Sequence, residues 1–150
     1  MTEIVVMDAV ASDVAALAER MRATDAEAAT ARGINPRRLL WLNFRFSLFR
    51  HTAFVDDEIA AMWGVRGPAM GGVGEPWLVG TQLMDRYPMT AVRMSLDELA
   101  AMRAIWPTLR GLVVLNDRRA CRFAEFLGAA ISQPDYTRGV ATFEIAGTVH

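Results

Sequence analysis

The sequence changes its hydrophobic period again and again along its length, and that switching constrains the fold more than any other feature. Segments with apolar residues three and four apart, the spacing of one helical face, alternate with short apolar runs of strand length. Prolines and glycines punctuate the changes. The clearest helix runs from Pro88 to Ile105, where Val92, Leu96, Leu99 and Met102 share a face and Pro107 stops the chain. Strand-like runs stand on either side of it, Pro76 to Gln82 and Leu109 to Leu115. Upstream, a strand over Glu3 to Met7 leads into a helix over Asp13 to Met21, with Ser12 or Asp13 as its cap. Asp25 to Arg32 reads as a second, alanine-rich helix stopped at Gly33, and Asn35-Pro36 starts a third. That third helix, Arg37 to about Leu48, is apolar nearly all round and is expected to be largely buried or to sit at an interface. Thr52 to Val55, the Asp56-Asp57 turn and Glu58 to Arg66 make a hairpin. Gly67 to Gly74 is a loop with four glycines. Asn116 caps a last helix that ends at Leu127-Gly128, and two strand-like pieces follow between Ala129 and Val149 around Pro134-Asp135. Strands alternating with helices, with an antiparallel meander in the middle, predict one α+β domain over 1–150 whose mixed sheet is covered by helices.

Composition removes several chemistries. All 16 basic residues are arginine, so a lysine Schiff base, a phosphate-loop lysine and a lysine general base are excluded. The net charge of −1 argues against binding nucleic acid through bulk charge. The Gly67–Gly74 loop lacks the Gly-Lys-Ser/Thr ending of a phosphate loop. One cysteine, Cys121, forbids an internal disulfide and fits a reducing compartment; on a helix face beside Phe123 and Ala124 it reads as a quiet, semi-buried thiol. Two distant histidines, His51 and His150, and scattered acids give no metal-ligand spacing. No apolar run approaches the roughly 18 residues that span a bilayer, and Met1 to Asp8 lacks a basic leader, so a cytoplasmic location is expected.

The element order, together with Asn116-Asp-Arg-Arg-Ala-Cys-Arg-Phe-Ala-Glu-Phe-Leu-Gly128, resembles the GNAT N-acetyltransferase superfamily. Gly72-Val-Gly-Glu-Pro-Trp-Leu-Val-Gly-Thr81, the Gly33-Ile-Asn-Pro36 helix start, and the Tyr87-Pro88 and Trp106-Pro107 bracketing are similar to phage-encoded GNAT-like proteins of the podovirus internal virion protein A group. The resemblance implies a mostly antiparallel central sheet flanked by helices, with acetyl-CoA lying where the fourth and fifth strands part. It implies that Leu78, Val79 and Gly80 line that cleft, with Thr81 and Asn116 beside it and Arg118, Arg119 and Arg122 meeting the phosphates. For the general base it offers Glu75, just before the fourth strand, or Asp117, just after the fifth. The bland alternatives are a loop acid at Glu75 and a first-turn acid at Asp117, and a solvated face for the three arginines. Gly80 either offers its backbone to the cofactor or relieves crowding against the Pro88–Ile105 helix.

The sequence departs from the family pattern in two places. The family shapes the diphosphate-binding turn with glycines, whereas Thr81-Gln-Leu-Met-Asp-Arg-Tyr-Pro88 has none; it carries Asp85, which repels a diphosphate, and Arg86 as a lone charge. Ala124 stands where a tyrosine often protonates the departing thiolate, and Ala129 where an aromatic residue is usual. Two functions follow: an acetyl-CoA-dependent transferase acting on an amine, or a non-catalytic phage protein of the same fold, a virion, assembly or host-interaction module. A further basic stretch, Arg32, Arg37, Arg38, Arg45 and Arg50, has no acid between Ala28 and Val55 and is interleaved with Trp41, Phe44, Phe46 and Phe49. It reads as a helix whose arginines snorkel or pair with carboxylates such as Asp25 and Glu27, or else as a patch for a phosphate-bearing ligand or an acidic partner protein, nucleic acid being disfavoured by the overall charge.

Overall fold

A computed structural model describes residues 2–146. The elements run β1 (Ile4–Asp8), α1 (Ala11–Glu19), α2 (Ala23–Ala31), α3 (Pro36–Arg45), β2 (Ser47–Val55), β3 (Glu58–Arg66), a 3-10 turn at Ala69–Gly71, β4 (Val73–Gly80), α4 (Gln82–Arg86), α5 (Pro88–Ile105), β5 (Thr108–Val114), α6 (Arg118–Phe126), β6 (Ala130–Asp135) and β7 (Val140–Ala146). His150 and the expected strand end at Val149 lie outside the described residues.

The seven strands make one sheet in the order β1-β2-β3-β4-β5-β7-β6. All neighbours are antiparallel except β4 and β5, which are parallel because α4 and α5 carry the chain back between them. The expected mixed, mostly antiparallel sheet flanked by helices is therefore what forms. Each face has its own core. Trp63 and Val65 of β3 pack with Met102, Trp106, Leu109 and Ile145 beneath α5. Met62, the alternate residue, points the other way and packs with Val14, Leu17, Leu40 and Phe44 beneath α1 and α3. The hairpin turn at Asp56-Asp57 holds both residues at positive φ, 47° and 66°, a conformation that short acidic side chains tolerate.

Several boundaries differ from the sequence reading, each for a local reason. The apolar stretch expected as one helix to Leu48 stops at Arg45, and Ser47 opens β2. It is not buried all round: Trp41, Phe46 and Leu48 are 44%, 58% and 77% exposed, and the buried face is Leu40, Asn43 and Phe44. In a run this apolar, periodicity alone does not mark where helix gives way to strand. Neither Ser12 nor Asp13 is the cap of α1; Val10 is, and the Asp13 carboxylate reaches back to accept its N–H at 3.0 Å. Asn116 is not the cap of α6 either. Asp117 fills that position, and its carboxylate accepts the Ala120 N–H at 3.0 Å. β4 begins at Val73 rather than Pro76, so Glu75 lies within the strand and not in a loop before it. Pro88–Ile105 forms as expected, with a proline at its first position.

Candidate active site

The site is built by a sheet that opens. β4 and β5 pair only at Val73↔Thr108 and Gly74↔Leu109. Beyond that vertex they diverge, and a cleft of about 740 Å³ runs between them. Close packing holds the vertex shut: a Cβ added to Gly74 would meet Val65 Cγ1 and lie 2.8 Å from Trp106 Cγ. The cleft is lined by α2, β4, α4, α5, β5 and α6, including Asp25, Leu78, Met84, Asp117, Arg119 and Ala124.

Backbone direction along β4 decides which groups the cleft receives. Thr81 N–H donates to Ala60 O of β3 at 2.9 Å. By antiparallel alternation, Gly80 and Leu78 turn their N–H and C=O groups away from β3, toward the opening. Pro76 contributes a carbonyl only. Gly80, however, is already engaged. Its C=O accepts the Arg22 N–H at 2.9 Å, and its N–H donates to the Asp25 carboxylate at 2.9 Å. Leu78 thus holds the backbone pair that faces the cleft beside an engaged Gly80.

Arg22 and Asp25 belong to the start of α2, and they pin that helix over the cleft. Arg22 Nε donates to Asp25 Oδ2 at 2.9 Å and Arg22 Nη1 to Asp85 Oδ1 at 2.8 Å. Burial opposes the Arg22 charge, but the bonds and charges of Asp25 and Asp85 outweigh it, and its pKa rises above the ordinary value. At the other end of α2, Arg32 donates to Glu75 Oε1 at 3.2 Å. Of α2's own residues only Ala29 is fully buried, so these polar clamps hold it where apolar contact is scant.

The remaining candidates fall as follows. Val79 lines the cleft and packs toward the α1–α3 core. Thr81 is buried and caps α4, its hydroxyl donating to Ile59 O and accepting from Leu83 N–H. Gly80 does relieve crowding, but against Met84 of α4 and Arg22 of α2 rather than α5: an added Cβ would lie 3.1 Å from Met84 Sδ and 3.3 Å from Arg22 Cζ. Asn116 is an exposed turn residue. Arg118, Arg119 and Arg122 are exposed on α6; of the three, Arg119 lines the cleft, 4.0 Å from Asp85. Asp117 lines the cleft with its carboxylate engaged in the cap. Glu75 lines it with Oε1 engaged by Arg32. The sequence reading missed Arg22 and Asp25, which no local pattern marks, and the Glu98 carboxylate on the α5 face. Glu98 Oε2 accepts from Trp63 Nε1 at 3.0 Å and meets His51 Nδ1 at 2.8 Å, with Asp8 3.5 Å from the far ring nitrogen. Asp25 does not serve the acid-free arginine stretch, since Arg22 holds it, and Arg50 instead stacks on the Phe44 ring at 4.0 Å. Among the described residues no group of side chains has the make-up to hold a metal, and no helix is long and apolar enough to cross a membrane.

The fold is shared with solved structures. The acetyltransferase from Agrobacterium tumefaciens superposes with a TM-score of 0.65 at 15% identity, over 98% of this chain and 93% of that one. The GNAT-family acetyltransferase from Bacillus anthracis does so with a TM-score of 0.66 at 10% identity, over 97% and 96%. The chain has the GNAT fold. The RimL alpha-N-protein acetyltransferase, solved in complex with coenzyme A, is similar over 95% of this chain and 93% of that one, with a TM-score of 0.63 at 12% identity. The sequence matches no family model and no curated protein.

Proposed function

We propose that the chain is an acetyl-CoA-dependent N-acetyltransferase, and the observation that carries the reading is the parting of β4 from β5 just beyond Gly74↔Leu109. The residues present fit an extended thioester at the strand edge. Leu78 offers one N–H and one C=O along β4, apolar Leu112 and Phe123 line the walls, and Arg119 supplies a guanidinium for phosphate. The glycine-free turn and Asp85 make the diphosphate end weak, with Arg22 and Arg119 offsetting the Asp85 charge. When bound, acetyl-CoA supplies an activated acyl carbon. The acceptor nitrogen bonds to that carbon as the C–S bond breaks; the sulfur leaves as thiolate and the proton lost by nitrogen passes to Glu75, directly or through water. Glu75 Oε2 is the oxygen that serves, Oε1 being held by Arg32. Asp117 is the lesser candidate because its carboxylate caps α6.

Calorimetric titration of acetyl-CoA tests this reading. Binding is expected, and a hundredfold excess over Kd adds about 2.7 kcal/mol to stability. Leu78→Pro removes the N–H turned to the cleft and should abolish binding, while Leu78→Ala keeps the N–H and the affinity. No thermal shift at millimolar acetyl-CoA overturns the proposal.

One observation favours a second reading. Gly80 is bonded on both its polar groups by α2, and Ala124 faces the cleft without a proton to give. On that reading the chain is a non-catalytic GNAT-fold protein of phage type, used in the virion, in assembly or against a host protein. It predicts no acetyl-CoA shift even after Asp25→Ala frees the Gly80 N–H, whereas the transferase reading predicts binding at least as tight in that variant.

A further inference from the structure

Glu75 and Arg110 are each the first residue past the last β4–β5 pair, so they flank the vertex where the cleft begins. Beside them, on the α1–α3 side of the sheet, lies an open depression of about 530 Å³ lined by Arg32, Arg66, Gly67, Val73, Gly74, Glu75 and Arg110. Its ionisable lining is three guanidinium groups and one carboxylate. Arg66 is the cross-strand partner of Glu75, yet its hydrogen bond goes to a neutral acceptor, Asn43 Oδ1 at 3.2 Å. The Phe46 ring stands 5.8 Å from its guanidinium carbon, and among the described residues no carboxylate pairs with it. Arg110 is half-exposed, with Glu144 at 2.9 Å on its Nε, which leaves its terminal nitrogens for another acceptor. Arg32 and Glu75 line both the depression and the cleft, so the two spaces are continuous around that pair.

We infer that this depression is the acceptor subsite and that the acceptor is a small amine carrying a carboxylate or phosphate a few bonds from its nitrogen. The inference rests on the transferase reading for its chemistry, but not for its binding. The anionic group lies against Arg66 and Arg110, whose forked donors suit oxyanions. The amine then points past Glu75 into the cleft, where it loses its proton to that carboxylate as the N–C bond forms. An amine without an anionic group leaves Arg66 without an anion and gains nothing from the depression.

Two measurements decide it. In steady-state assays, glutamate and O-phosphoethanolamine stand for the carboxylate and phosphate arms, and glutamine amide and propylamine for counterparts that lack the anionic group. An anionic acceptor is expected to be preferred tenfold or more in kcat/KM, the better of the two arms identifying the anion. Arg66→Gln and Arg110→Gln should raise its KM at least tenfold with kcat held, and Arg110→Lys should recover part of the loss. Equal use of amines with and without the anionic group overturns the inference. Independently of turnover, NMR titration with glutamate and O-phosphoethanolamine should shift the Arg66 and Arg110 side-chain resonances in the wild type, and the Arg66 resonance should stay unmoved in Arg110→Gln. Because Arg110 is half-exposed on its strand, Arg110→Gln keeps the fold and serves as the test even where Arg66→Gln loses it. If acetyl-CoA fails to bind but the anions do, the transferase reading falls and the anion subsite stands. If neither anion moves those resonances at millimolar concentration, the subsite itself is refuted.

Discussion

Replacing Asp25 is the sharpest test of how this fold covers its own cleft. Asp25 Oδ2 accepts from Gly80 N–H and from Arg22 Nε, both at 2.9 Å, and Oδ1 meets Arg22 Nη2 at 3.3 Å. The two side chains are only 18% and 15% exposed, so solvent replaces little of what is lost. Asp25→Ala leaves the Gly80 amide without its acceptor, a cost of about 1–3 kcal/mol. Breaking a buried ion pair costs about 3–5 kcal/mol when the remaining charge has no partner. Arg22 keeps Asp85 at 2.8 Å, so its charge is not left without a partner and the ion-pair cost falls below that range, which brings the combined loss to about 3 kcal/mol. Asp25→Asn still accepts from Gly80 and should lose about half as much. For a chain of this length, about 2–4 °C of Tm goes with each kcal/mol, so the alanine variant should melt about 6–12 °C lower. Urea unfolding followed by circular dichroism gives the free energies, and hydrogen exchange should show α2 opening ahead of the sheet. A loss below about 1 kcal/mol for Asp25→Ala, or protection of α2 as high as in the wild type, would refute the claim that this network and not apolar packing seats the helix.

Three other outcomes are expected. Gly74→Ala places a methyl group against Val65 and Trp106 at the strand vertex, and should cost about 1–3 kcal/mol in denaturant unfolding, unlike a routine glycine-to-alanine change. Asp117→Ala should destabilise by about 1 kcal/mol while Asn116→Ala changes almost nothing, since Asp117 caps α6; equal effects would mean the cap is misassigned. Burial raises the Cys121 thiol pKa, with Asp117 and Glu125 adding to it, so iodoacetamide should react more slowly with it than with a free cysteine at neutral pH. The unfolded chain ionises this thiol first as pH rises, so the thiol's contribution to stability falls through the alkaline range.

The parts of the molecule legible in the sequence are those fixed by short-range rules. Prolines at 88 and 107 bound α5 because the ring forbids helix continuation and suits its first turn. Gly33 and Gly128 follow α2 and α6 at positive φ, 75° and 93°, where other residues strain. The cap of α6 was not legible, because Asn116 and Asp117 are both good caps and only the turn preceding the helix selects between them. Glu75 looked like a loop acid because the glycines before it hide the start of β4.

The functional surface divides along the same line. Element order and residue chemistry are properties of the chain, so the alternating pattern already implied a mixed sheet covered by helices, and the absence of lysine already left arginine as the basic side chain for binding anions. Which arginines converge is a matter of long-range register. The acid-free stretch from Arg32 to Arg50 looked like one patch, yet only Arg32 reaches the vertex, joined by Arg66 from β3 and Arg110 from β5. Arg66 and Arg110 are brought together by pairing in the sheet, and Arg32 by the docking of α2 across it, contacts between segments far apart in the chain that no local periodicity carries. The fate of Gly80 was decided in the same way. Its glycine marked a close approach, but that the neighbour is Arg22 and Asp25 of α2 follows from how α2 docks across the open strands.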